Sequence, residues 1–296
     1  MRVGVTGASG FVGRAVCLAA AARGWQVHGF GRRASIPAMP GVPYTSWDLT
    51  RDRPPALELD AVIHCAGSVT DWGPPREIWQ ANLAGTRAAL AAFPGARFVH
   101  VSTASVYDPR RPTVMAREDE APVSRYVNAY GASKAAAELA VMGKAVILRP
   151  HAVYGPGDTT LLPRVLESVR GSRLVAVGDG RQRVSLTSIG NLVQACLLAV
   201  EAPIGVYNVT DAEPVVLDDA LRQILRERGI DATPLYLPAR LAHAVAALSE
   251  TFSRTPRLTR YAVGHLAVER TLDITAATQR LGYSPAATSF SGASAW

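Results

Sequence analysis

The sequence has little cysteine, almost no lysine, no long apolar run and no acidic residue before Asp48. Its three cysteines, Cys17, Cys65 and Cys196, are odd in number, far apart and set in apolar segments. That pattern excludes a disulfide framework and suits unreactive, reduced thiols in a cytoplasm. No uncharged stretch approaches the roughly 18 residues of a membrane span, and the N-terminus enters a strand and a glycine loop without a signal-peptide apolar region. A soluble, cytoplasmic chain is expected. Six dispersed histidines lack ligand spacing, which argues against a metal site. Only two of the 31 basic residues are lysine, and the arginines are scattered singly or in pairs among 24 acids. The net charge of +7 therefore forms no run that would track a phosphate backbone, and no nucleic-acid partner is expected. A small-molecule substrate is the expected partner, with a homodimer left open as the assembly.

What is present is a 296-residue chain, 48% hydrophobic, long enough for one extended α/β domain and a smaller appendage. Short apolar runs alternate with helical patterns, which predicts a doubly wound parallel sheet of the Rossmann type. The strands read as Arg2 to Thr6, Gln26 to Phe30, Pro43 to Trp47, Ala61 to Cys65, Arg97 to Ser102 and Ala145 to Arg149. Helices are expected near Phe11 to Ala22, Arg76 to Ala92 and Tyr126 to Met142. The dinucleotide-binding domain is placed at 1–150. A smaller, mainly substrate-binding domain covers 151–285, with 188–209 rejoining the first as a helix and a β-like strand. Further helices fall near Leu217 to Arg228, Ala239 to Phe252 and Ile274 to Leu281, and the Ser/Ala/Gly-rich tail 286–296 is expected to be mobile.

The first strand runs into Thr6-Gly7-Ala8-Ser9-Gly10-Phe11-Val12-Gly13 and then a helix, the placement that gives a glycine pattern meaning. Gly7 permits a tight turn, Gly10 lets backbone approach a pyrophosphate, and Gly13 allows close helix-strand packing. In NAD-binding folds an acid at the end of the second strand holds the adenosine ribose. Here that position is Gly31, followed by Arg32 and Arg33, so no local carboxylate selects NAD. A guanidinium can instead bind the 2′-phosphate of NADP, which makes NADP the expected cofactor. Asp48-Leu49 is placed either to meet the adenine edge or to make a simple turn.

Tyr130 and Lys134 lie at i and i+4 of a predicted helix and project from one face. With nine tyrosines and two lysines in the chain, only about 0.06 such pairs are expected by chance. A nearby ammonium that favours phenolate would make the Tyr130 phenol a better proton shuttle. Thr103, just past the fifth strand, is the candidate hydroxyl for polarising a carbonyl, with Ser105 its nearest competitor.

These motifs together resemble the extended short-chain dehydrogenase/reductase family across about residues 1–285. The resemblance rests on Thr6-Gly7-x-x-Gly10-x-x-Gly13, His64-Cys65-Ala66-Gly67, Asn82-Leu83-Ala84-Gly85-Thr86, the Thr103 segment and Tyr130-x3-Lys134, then Arg149-Pro150-x-x-Val153-Tyr154-Gly155-Pro156-Gly157 and Leu281-Gly282-Tyr283-x-Pro285. It implies Thr103, Tyr130 and Lys134 as the catalytic set. It further implies cofactor contacts from Gly7, Ser9, Gly10, Phe11, Val12 and Gly13, from Cys65, Ala66 and Gly67, from Lys134 on the nicotinamide ribose, and from Pro150, His151 and Val153 on the carboxamide. Asn82 is implied as a structural or cofactor-pocket residue, and Ser68, Trp72, Ser105 and Tyr154 as substrate-facing. Val69-Thr70-Asp71-Trp72-Gly73 and Leu258-Thr259-Arg260-Tyr261 are similar to the branch containing 3β-hydroxysteroid dehydrogenases and 2-alkyl-3-oxoalkanoate reductases.

The expected activity is hydride transfer between NADP and a hydrophobic ketone or alcohol, with the segment Leu235 to Leu248 either lining an apolar pocket beside Trp72 or forming only a core helix. The alternative is a nucleotide-sugar epimerase, dehydratase or ketoreductase, for which Arg181 and Arg183 are candidate diphosphate ligands. A noncatalytic NADP-sensing protein is the third reading.

Overall fold

The computed structural model describes residues 1–253, 256 and 258–296. Seven parallel strands make the central sheet, in the order Gly205–Val209, Ala145–Pro150, Arg97–Val101, Ala61–His64, Arg2–Thr6, Gln26–Gly31 and Tyr44–Ser46. The inner strands are apolar on both faces, as a parallel sheet covered on both sides requires. On one face the helices α1 (Phe11–Ala22) and Ile189–Ala199 bury Val16, Cys17, Ala20, Leu192 and Cys196 against Val3, Val5 and Leu148. On the other, Ala89, Phe93 and Val141 close over Val62, Phe98 and Ile147. Gly205–Val209 pairs with Ala145–Pro150 at the sheet edge.

The predicted helix from Arg76 to Ala92 is three pieces: α2 (Pro75–Trp79), a π-helical turn at Gln80–Ala84, and α3 (Gly85–Ala92). The next helix, α4 (Ala129–Val141), starts three residues later than its periodicity suggests, because the Asn128 side chain accepts the Gly131 amide at 3.0 Å and caps it there.

A second, smaller layer carries the rest. The strands Thr233–Leu237, Arg173–Val177 and Val169–Arg170 form one sheet, and α5 (Leu161–Leu166) precedes it in the chain. Another sheet joins Val215–Val216, Arg183–Val184 and Arg270–Leu272 to Thr113–Ala116, a strand from the first half that the sequence pattern did not reveal. Tail residues 286–296, expected to be mobile, are packed instead. Phe290 and Ala293 are buried, the Ala286 amide donates to Asn191 Oδ1 at 2.9 Å, and the Gly292 amide donates to Glu227 at 3.0 Å. Two aromatics, Phe290 and Trp296, anchor against Tyr154 what its small-residue composition suggested would stay loose. Among the described residues no helix is long and apolar enough to cross a membrane.

Candidate active site

A cavity of about 1410 Å³ opens at the carboxyl ends of the central strands and runs from the glycine loop into the second layer. Its first half has the shape a dinucleotide needs. A Cβ on Gly13 would lie 2.2 Å from the Gly7 carbonyl oxygen, and one on Gly7, whose φ is +73°, would lie 2.8 Å from the Ala66 amide. Both positions therefore demand glycine, and the backbone there is left open to a ligand. The first turn of α1 carries no side-chain cap at Gly10 and no acid, so its amides and dipole face the cavity. Every expected cofactor residue lines this space except Asn82.

Arg32, Arg33 and Asp48 line the cavity beside the end of the second strand. A Cβ at Gly31 would come within 3.0 Å of both Ser9 Oγ and the Tyr44 hydroxyl, so a side chain on the second strand there requires those two to shift by a few tenths of an ångström. Asp48 is committed to its own turn, accepting the Thr50 amide and hydroxyl at 2.9 Å each. The Thr50 amide bond, and the hydroxyl and Arg51 and Arg32 with it, hold the Asp48 carboxyl below its ordinary range against a desolvation cost.

The catalytic candidates meet where the two halves of the cavity join. Thr103, Ser105, Tyr130 and Lys134 all line it. The Thr103 hydroxyl takes the Ser105 amide at 3.1 Å and pairs with Ser105 Oγ at 3.0 Å. Lys134 donates to the Val101 carbonyl at 2.7 Å. Burial pushes its ammonium down to about 8, opposed by Glu138 and Cys65. The Tyr130 phenol is moved upward, first by burial and further by Asp71, while Thr103 pulls it down. The sequence suggested that Lys134 would lower that phenol. In the structure the ammonium is directed onto the Val101 carbonyl, one helical turn from Tyr130.

One turn further along α4 the Glu138 carboxylate, fully buried, pairs with Arg149 at 2.8 Å and accepts the Ser102 hydroxyl. This network ties the helix bearing Tyr130 and Lys134 to the strand ends that hold Ser102 and Arg149. Asn82 acts from below. Its Oδ1 takes the Ser68 amide at 2.7 Å and its Nδ2 donates to Ser133 at 2.9 Å, so it braces the Gly67-Ser68 loop against α4. Of the two roles the resemblance implied for Asn82, these bonds fit the structural one, and the side chain does not line the cavity.

Two substrate-facing assignments are also corrected. Tyr154 is buried away from the cavity, donating to Asp211 at 2.7 Å and stacked on Phe290 at 4.8 Å. Trp72 belongs to a local turn in which its amide and carbonyl bond the Thr70 side chain, and it does not line the cavity. Ser68 and Ser105 do line it. The helix Ala239–Phe252 does not face the pocket either. It turns Ala242 and Ala246 inward and leaves Leu241, Val245, Leu248 and Phe252 exposed. The apolar wall comes instead from Leu161, Val165, Leu174, Val177, Leu237 and Leu258.

Sequence reasoning missed four residues at that wall. Asp71 is buried and receives Arg164 at 2.7 Å and Thr259 at 2.6 Å, tying the loop after the fourth strand to the second layer. Thr259 also caps the helix Arg260–Leu266, which brings Tyr261 and His265 to the cavity. Tyr261 and Asp71 were visible only as parts of short motifs, whose spacing of nearly 190 residues gave no sign that they converge.

The family model for the NAD dependent epimerase/dehydratase family matches residues 3–210. A ketoreductase of Stigmatella aurantiaca, named for 4-hydroxy-2-methyl-3-oxo-4-farnesyl-3,4-dihydroquinoline-1-oxide, is 33% identical over 96% of this chain and 92% of its own length. A 2-alkyl-3-oxoalkanoate reductase of Shewanella oneidensis is 32% identical over 95% of this chain and 81% of its own. Among solved structures, the UDP-glucuronic acid 4-epimerase of Bacillus cereus in complex with NAD superposes with a TM-score of 0.76, at 24% identity, over 100% of this chain and 97% of that one.

Proposed function

The chain belongs to the NAD-dependent epimerase/dehydratase family, and from that premise we propose that it is an NADP-dependent carbonyl reductase for hydrophobic ketones. The observation that carries this reading is the position of the Tyr130–Thr103 pair, at the junction of a glycine-rich cradle and an apolar wall.

The residues act as follows. The dinucleotide, when bound, supplies or accepts the hydride. Arg32 and Arg33 pair a 2′-phosphate that no carboxylate on the second strand opposes, which favours NADP. Thr103 and Tyr130 hold the ketone oxygen, and Tyr130 delivers its proton there as negative charge develops. Thr103 then stabilises the phenolate left behind, and the Lys134 ammonium contributes a buried positive charge one helical turn away. The leucine and valine wall binds an apolar substituent and keeps water from the reacting carbon, each buried methylene contributing about 0.8 kcal/mol.

A nucleotide-sugar reading needs cations free to clamp a diphosphate. Arg181 and Arg183 lie off the cavity, Arg164 is paired with Asp71, and Arg170 bonds the carbonyls of Glu167 and Val169. The two relatives above 30% identity described here are named for ketone reduction on alkylated substrates, which supports the same choice. The test is NADPH oxidation with medium-chain 3-oxo compounds, steroid ketones and nucleotide 4-keto-sugars at matched concentration. Turnover of the apolar ketones is expected, and exclusive turnover of the keto-sugars overturns the proposal.

A further inference from the structure

One arm of the cavity enters the packed core of the second layer. Leu217, Ala220, Leu221 and Ile224 all line it, and all come from the helix Leu217–Glu227. Their spacing of i, i+3, i+4 and i+7 puts them on one face. Leu225 of the same helix is as deeply buried but does not line the cavity, so the arm follows that face rather than the whole buried side. Leu174 on the strand Arg173–Val177 and Val184 on Arg183–Val184 line it too, and all six side chains belong to the one apolar cluster that packs this layer.

None of the six is more than 8% exposed, although each faces the cavity. Residues around a wide chamber would show more of their surface, so the arm is narrow and closed to bulk water. The polar side of the helix stays out of it. Asp218 accepts from Arg222 at 2.6 Å and from the Tyr236 hydroxyl at 2.7 Å, and neither Asp218 nor Asp219 lines the cavity. A polar group placed in the arm would leave water for an apolar wall and pay its desolvation unmatched, so whatever fills the arm is itself apolar. From Leu217 to Ile224 the lined face covers about 10 Å of helix, the reach of roughly eight methylenes.

We infer that this arm is a subsite for an unbranched saturated chain carried by the ketone, and that Ala220 is the specificity residue that keeps it open. Ala220 is the one small side chain on the lined face, between Leu217 on one side and Leu221 and Ile224 on the other. A larger group at that position extends into the arm. A flat fused-ring skeleton is wider than a channel walled this closely, which sets the substrate class as a straight-chain ketone rather than a steroid. This inference rests on the ketone-reductase reading and narrows it.

The experiment uses 2-alkanones from about six to about sixteen carbons, for which kcat/KM should rise about fourfold with each methylene that enters the arm and level off once it is full. A steroid ketone should fall at least about tenfold below the best of the series. In Ala220→Phe the ratio of the longest to the shortest ketone should drop at least about tenfold, with a smaller drop in Ala220→Leu, which asks less of the fold. Because the ratio is taken within one variant, a general loss of fold or rate does not imitate it. Calorimetric titration of the same ketones into the NADP-loaded protein, a complex with no hydride to give, reads the arm without turnover. A flat length series, a preference for the steroid, or an unchanged ratio in both Ala220 variants each overturns the subsite while leaving the reductase reading intact. Length-dependent binding without turnover overturns the reductase reading and leaves the subsite, and neither binding nor turnover overturns both.

Discussion

Tyr130 and Tyr261 meet edge to face, with ring centroids 6.3 Å apart and planes at 88°. The two rings come from different layers of the molecule, one from α4 against the central sheet and the other from the helix Arg260–Leu266. Asp71 makes the meeting possible, since it holds both Thr259, the cap of the second helix, and Arg164 of α5. The site is therefore complete only where the two layers close on each other. Burial of this kind also explains why both phenols are moved upward and stay protonated at neutral pH.

A protonated Tyr130 is suited to act as an acid in reduction. Tyr130→Phe is expected to lower kcat by at least about a hundredfold while NADPH still binds, because only proton transfer is removed. Single-turnover kinetics and a fluorescence titration of NADPH check the two halves separately. A variant with near-normal turnover would show that another group gives the proton.

Cofactor choice should follow the corner at Gly31. NADPH is expected to bind at least tenfold more tightly than NADH, and replacing both Arg32 and Arg33 by alanine should erase most of that preference. Dissociation constants from calorimetry decide it, and equal values in the unmodified protein contradict the assignment.

Local signals carried most of the nucleotide half. The strand Arg2–Thr6 and α1 lie where their apolar pattern and the glycine spacing place them, because turn geometry there is dictated by residues adjacent in sequence. The π turn at Gln80–Ala84 was invisible, since one extra residue in a helical turn leaves an apolar pattern nearly unchanged. The helix Ala239–Phe252 has its predicted ends, but periodicity does not say which face turns inward, and the small Ala242 and Ala246 do so rather than the leucines. Tyr154 reads as a site residue by its place in a motif, whereas its hydroxyl is held by Asp211, 57 residues away. Contacts of that range have no local signature.

The buried pair beneath the site should be costly to break. Glu138 and Arg149 are both fully buried, with Arg149 also donating to the carbonyls of Glu118 and Ala121. Glu138→Gln leaves the guanidinium without its counter-charge and is expected to cost about 3 kcal/mol or more of folding stability. Urea unfolding measures this, and a loss under about 1 kcal/mol would mean the backbone carbonyls alone satisfy Arg149.

Lys134 gives the last prediction, in activity and in stability together. Desolvation moves its ammonium down to about 8, with Glu138 and Cys65 opposing that shift. The group is then still mostly charged at pH 7 and loses its charge just above pH 8, so kcat/KM for reduction should fall with rising pH along a one-proton limb near 8. Lys134→Met should be much less active and lack that limb. For stability, an unfolded lysine titrates near 10.4, above the folded value. Between about 8 and 10.4 the unfolded chain thus holds a proton that the folded one has released. The stability contributed by this group rises with pH across that window, and burying the ammonium costs the fold most below it. Relative to the unmodified protein, Lys134→Met should therefore be more favourable at pH 7 than at pH 10.5, whatever it loses with the hydrogen bond to Val101. Denaturation curves at the two pH values give the difference directly, and a variant whose relative stability is the same at both would show that the ammonium is not destabilised by its burial.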